Sequence, residues 1–165
     1  MNGKIVAGAI VLPALIVGAG VWYAQDYAYY RQVSLTEGES TVVLTSIATD
    51  APEEITADEF QGIDADSSPL RFRSCFRTRL SLALLTETYQ TYDHATPLNA
   101  PGWFGCFDAA RIGADLERGA AVAFLSQRDI RPGVDRVVAV YPDGTAFAWN
   151  QLDEGTGARP LVEEN

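Results

Sequence analysis

The chain has 165 residues, of which 12 are basic and 22 acidic, for a formal net charge of −10, and 47% are hydrophobic. That balance argues against strong binding to nucleic acid or to an anionic lipid surface, because both attractions need clustered positive charge. The length allows one modest hydrophobic core once an apolar N-terminus is set aside.

Residues Ile5 to Gln25 carry no charge over 21 positions, and a helix of that length rises about 30 Å, the thickness of a bilayer's hydrocarbon core. Trp22, Tyr23, Tyr27, Tyr29 and Tyr30 mark its far end as an aromatic belt suited to the headgroup layer. Pro13 fits such a helix, since transmembrane helices tolerate proline with a mild kink. The α-amine and Lys4 precede the run, whereas Asp26 opens the far side. Residues 1–30 are therefore expected to anchor the chain in the inner (cytoplasmic) membrane, with lipid around residues 5–25 and a cytoplasmic N-terminus. A cleaved signal peptide is the competing expectation, with Gly18, Ala19 and Gly20 as its small-residue cleavage region. Either reading exports the remainder of the chain. Ala14 with Gly18 and Gly20 with Ala24 have the spacing that lets a partner helix approach, although small residues are common in such helices anyway.

Residues 31–40 are expected to be a polar linker, 41–152 an α+β domain, and 153–165 a flexible acidic tail. From Ser34 onward 10 arginines face 21 acidic residues, a net charge of −11. Thr41 to Ile47 is dense in β-branched residues and predicts a strand, and Glu54 to Phe60 a second extended piece. Leu70 to Arg77 alternates, with Leu70, Phe72, Ser74 and Phe76 on one face and Arg71, Arg73, Cys75 and Arg77 on the other. A helix is predicted over Leu80 to Tyr92. A second, over Ala109 to Arg118, has Asp108 as N-cap, Ile112 and Leu116 inward, and Gly119 as its stop. Ala121 to Leu125 predicts a buried strand, and Val134 to Tyr141 pairs with Thr145 to Leu152 across Pro142, Asp143 and Gly144. Two helices set between strand groups predict a mainly antiparallel sheet.

Cys75 and Cys106 are the only cysteines, an even pair in a domain expected to be exported, so a disulfide is predicted. A reversible thiol couple is the alternative, but there is no CxxC, and the lone His94 adds no zinc spacing. Arg71, Arg73, Arg77 and Arg79 concentrate positive charge within nine positions of an acidic chain. They are candidates for binding an anionic ligand or an acidic partner, or for pairing with Asp58, Glu59, Asp64 and Asp66. Trp103 and Phe104, beside Cys106, are candidate docking aromatics or core. Asp64, Asp66 and Ser68 begin like a calcium loop, but Pro69 occupies the glycine position and Cys75 that of the bidentate glutamate. No nucleophile triad, phosphate loop, dinucleotide fingerprint or haem site is present, and no catalytic residue, metal ligand or cofactor is assigned.

The runs IDADSSPLRFRSCF, LSLALLTETYQTY, APGWFGCFDA and DRVVAVYPDG, with the opening MNGKIVAGAIVLPALIVGAG, resemble an uncharacterised family of small single-span bacterial envelope proteins that carry a domain of unknown function. The resemblance implies a cell-envelope location and no activity. The expected role is a non-enzymatic interaction, accessory or assembly factor for a membrane complex, with a membrane protein as partner. The alternative is a small anionic-ligand-binding or thiol-redox protein.

Overall fold

The computed structural model describes residues 2–35 and 42–153, and the chain forms two compact units, 1–30 and 31–165. Half of the predicted linker, residues 36–40, the start of the strand expected from Thr41, and the predicted tail beyond Asp153 lie outside the described residues.

In the first unit, helix α1 (Gly3–Tyr23) is capped by Asn2, whose side chain accepts from the Lys4 amide at 3.4 Å, and runs uninterrupted through Pro13. None of its residues is buried, and it is long and apolar enough to cross a membrane, a property that signal sequences share. A π-helical turn, Ala24–Ala28, extends it. Around that turn Tyr23 stacks on Tyr27 with ring centroids 5.6 Å apart, and Trp22 meets Tyr27 edge-on at 5.8 Å. Trp22, Tyr23, Tyr27 and Tyr29 are exposed.

The second unit is the expected α+β fold. Six antiparallel strands form its main sheet in the order β1 (Arg31–Val33), β4 (Asp58–Asp64), β5 (Arg73–Arg77), β8 (Thr145–Leu152), β7 (Val134–Val140) and β6 (Val122–Arg131). A small second sheet pairs β2 (Val43–Thr45) with β3 (Pro52–Glu54). The hairpin of β7 and β8 forms where alternation and the Pro-Asp-Gly turn predict it. Strand β1 falls within the stretch expected to be linker: Arg31, Gln32 and Val33 pair with Asp64, Ile63 and Gly62.

Three other elements differ from expectation. The extended piece placed at Glu54 to Phe60 is two strands in different sheets, because the chain leaves β3 at Ile55 and enters β4 at Asp58. Leu70 and Arg71 belong to a 3-10 turn, Pro69–Arg71, started by Ser68, whose hydroxyl accepts from the Leu70 amide at 3.3 Å. Helix α2 spans only Leu82–Thr88, with Ser81 as N-cap. After Thr88 the backbone groups are taken by strands instead of by a helix. The Gln90 amide donates to Thr45 at 2.9 Å, the Leu125 amide to the Gln90 carbonyl at 2.9 Å, and the Tyr92 amide to Ala123 at 2.8 Å. The threonines at 86, 88 and 91 lower helix propensity, and pairing on two sides decides the competition.

Both faces of the main sheet are covered. On one, Phe76, Phe124, Val138, Val140, Ala146 and Ala148 pack with Leu44 and Ile55 of the small sheet and Leu85 and Tyr89 of the α2 segment. Cross-strand register places Arg73, Cys75, Val137, Phe147 and Trp149 on the other face. There the loop through Phe104 and Phe107 and helix α3 (Ala109–Glu117) cover them. Asp108 caps α3 by accepting from the Arg111 amide at 3.0 Å, and Ile112 is fully buried. Ala109 and Asp115 are the other buried residues of this helix, and Leu116 is half-buried.

Candidate functional site

The run PGWFGCF folds as successive tight turns, with the Phe104 amide donating to Pro101 at 2.9 Å and the Phe107 amide to Phe104 at 3.4 Å. These turns send its aromatics to different environments. Phe107 inserts against Phe147 and Trp149, edge-on at 5.9 and 6.3 Å, and Phe104 is 8% exposed, whereas Trp103 stands out at 38%. Of the two candidate docking aromatics, then, Trp103 is at the surface and Phe104 is core. Cys106, two residues after Phe104, forms the predicted disulfide with Cys75 of β5, at a Cα separation of 6.3 Å. A groove of about 360 Å³ runs beside Trp103 along Val33, Phe60 and Gly62 of strands β1 and β4.

The four clustered arginines are distributed among separate environments, so they do not form the single basic face that alternation suggested. Arg73 is buried, and its guanidinium donates to the carbonyls of Leu98 at 2.7 Å, Leu70 at 2.7 Å, Phe72 at 2.6 Å and Asn99 at 3.2 Å. It also lies 5.8 Å from the Phe107 ring centroid. Its fork ties β5 to the loop over that face of the sheet. Arg77 donates to the Asp143 carbonyl at 2.9 Å, Arg79 pairs with Asp58 at 2.7 Å, and Arg71 ends the 3-10 turn.

A cavity of about 690 Å³ lies between the Thr91–Pro97 segment and α3. Ala109, Ala110, Gly113 and Ala114 give it a wall without chemistry, and His94 at its edge is exposed in a left-handed conformation with φ of 55°. Two buried carboxylates nearby are each held by a tyrosine hydroxyl, Tyr141 to Asp115 at 2.6 Å and Tyr92 to Asp135 at 3.2 Å. Burial, with the neighbouring carboxylate, pushes the Tyr141 phenol up to about 12 and the Tyr92 phenol higher still. Both hydroxyls are thus neutral donors, with the character of structural pins. Among the described residues no group of three or more His, Cys, Asp or Glu side chains is placed to hold a metal ion.

A feature missed in the sequence lies at the other end of the sheet. Arg136 and Asn150 are cross-strand partners on the same face as Val138 and Ala148, an inward register for an arginine. The Asn150 side chain is 3% exposed; its oxygen accepts from Arg136 Nε at 3.0 Å and its nitrogen donates to the Pro69 carbonyl at 2.7 Å. The guanidinium lies 3.9 Å above the Phe72 ring centroid. No described carboxylate lies within 4.0 Å of it, and neither Nη1 nor Nη2 donates a hydrogen bond to a described residue. Burial lowers its pKa from the ordinary value, with Asp64 opposing. Arg136 lines a cavity of about 500 Å³ with Arg31, Asp64, Ser68, Arg131 and Asn150. The detectable signal was the alternation of Val134 to Tyr141, which sets Arg136 in phase with Val138 and Val140.

A family model described as a family of unknown function (DUF6446) matches residues 42–159. No curated protein and no solved structure matches the chain.

Proposed function

The chain belongs to this family of unknown function, whose match covers most of its second unit, and from that premise we propose that it is a membrane-anchored, non-enzymatic accessory or assembly factor that docks another membrane protein. Helix α1 is its anchor in the cytoplasmic membrane of a bacterial envelope, the N-terminus faces the cytoplasm, and the α+β unit is periplasmic or otherwise extracytoplasmic. The observation that carries the reading is the exposed apolar helix with its aromatic collar, in a unit of its own ahead of the folded unit.

The disulfide supports an oxidising location, and exposed Trp103 beside the β1–β4 groove is the surface we assign to the contact. The four sequence-adjacent arginines enter this role unequally, since only Arg77 and Arg79 are exposed.

The test is affinity purification of the C-terminally tagged full chain from gently solubilised native membranes, followed by mass spectrometry. A stoichiometric membrane protein that is lost in Trp103→Ala is the expected result. Clean isolation of the chain alone would refute the reading.

A further inference from the structure

We propose that the cavity around Arg136 is a binding site for a small oxyanion, a carboxylate or a phosphate group, held by the terminal nitrogens of Arg136 with Arg131 beside it. This inference is independent of the docking role, because it concerns a different surface and different residues.

An arginine turned onto an inward register of a sheet loses hydration, and the loss is made good only if its donors find acceptors. Arg73 meets that requirement with the carbonyls of Leu70, Phe72, Leu98 and Asn99. Arg136 meets it only in part from the protein: its Nε is satisfied by Asn150 and its flat face by Phe72, while its other two nitrogens have no acceptor among the described residues and open to the solvent of the cavity. Those contacts hold the group in one orientation. The ring below prevents tilting, and the amide at Nε fixes rotation in the plane, so the free edge is the two-nitrogen edge that binds a carboxylate or phosphate through paired hydrogen bonds. Asn150 acts as a positioning residue, being nearly inaccessible and tied in turn to the turn at Pro69.

The surroundings suit an anion bounded by polar groups. Arg131 is exposed at the same cavity, where its Nη1 donates to the Ile130 carbonyl at 3.3 Å, and Ser68 contributes a hydroxyl. Arg31 lines the opposite side, 3.4 Å from Asp64 and 3.6 Å from Asp66. Three arginines against two aspartates make this cavity locally positive in a chain of net charge −10. Asp64 and Asp66 also restrict the ligand: they repel a large polyanion and favour a small group.

The experiment uses the full chain in phosphatidylcholine nanodiscs, titrated separately with inorganic phosphate and with succinate at constant ionic strength by isothermal calorimetry. Saturable binding of at least one is expected, and its identity distinguishes a phosphate source from a carboxylate source. Arg136→Lys keeps the charge but loses the fork, and binding should weaken about tenfold or more. Arg131→Ala, a change of an exposed side chain, should weaken it about threefold or more. If Arg136→Lys does not fold, Arg131→Ala decides. No saturable binding of either anion by the wild-type chain, or binding undiminished in the variants, overturns the proposal.

Discussion

Gly144, in the turn between β7 and β8, has φ of +83°, and a Cβ added there would lie 2.4 Å from the Thr78 carbonyl oxygen. That oxygen belongs to backbone whose Thr78 amide donates to the Gly144 carbonyl at 2.9 Å, so the neighbour cannot swing aside. Gly144→Ala should therefore cost about 2 to 4 kcal/mol, read as a lower midpoint in chemical denaturation with an unchanged slope. Tyr141 carries a pH prediction. Its folded pKa is raised from the ordinary value of 10.0 to about 12 by burial and by Asp115. The folded state then holds its proton more tightly than the unfolded chain, so the stabilisation is complete below pH 10 and is lost as pH rises toward about 12. Denaturation midpoints followed from about pH 9 to 12 should fall, and Tyr141→Phe should flatten that fall; an equal slope in both proteins would contradict the assignment.

At the scale of elements, periodicity was sufficient wherever one residue's neighbours in sequence also decide its partners. The β7–β8 hairpin and α3 with its Asp108 cap were legible for that reason. Segments whose hydrogen bonds go to distant strands were not: Tyr89–Tyr92 has a helix-like apolar spacing, yet Thr45 and Ala123 claim its backbone. The candidate site behaved alike. An even cysteine count and the expected export were enough to foresee the disulfide, whereas the fates of Arg73 and Phe104 depended on a loop that alternation does not describe. That disulfide joins positions 31 apart, and closing such a loop stabilises the fold by about 3 to 4 kcal/mol in the chain-entropy model. The double variant Cys75→Ser, Cys106→Ser should lose that amount in denaturant titration. In intact cells, a maleimide polymer should leave the wild-type chain unshifted on gels until it is denatured and reduced; a partly labelled population would favour a reversible redox couple.

For the whole molecule, the fate of α1 separates a retained anchor from a removed leader. The anchored reading predicts that the chain resists alkaline carbonate extraction and that its intact mass includes residues 1–25. A mass beginning near Gly20, with the protein in the soluble fraction, would make it a released domain. The proposed orientation adds that protease applied to spheroplasts removes a C-terminal tag and spares an N-terminal one. Each outcome is a band or a mass.

At the edge of the main sheet, where the chain enters its second unit, stands β1, three residues long and paired, among the described residues, with β4 alone. Any mechanical load that a membrane-fixed N-terminus transmits reaches the fold through Arg31, and so acts first on the shortest strand of that sheet. Peeling those three residues would cost little beside opening the five- and seven-residue pairings of β8 with its neighbours. It would also expose the β4 edge from Gly62 to Asp64, creating an open ladder that can accept a strand from another chain. If α1 is retained as an anchor, tension along it would be coupled to the availability of a sheet edge, with β1 as the weak link through which force alters the molecule's capacity to pair.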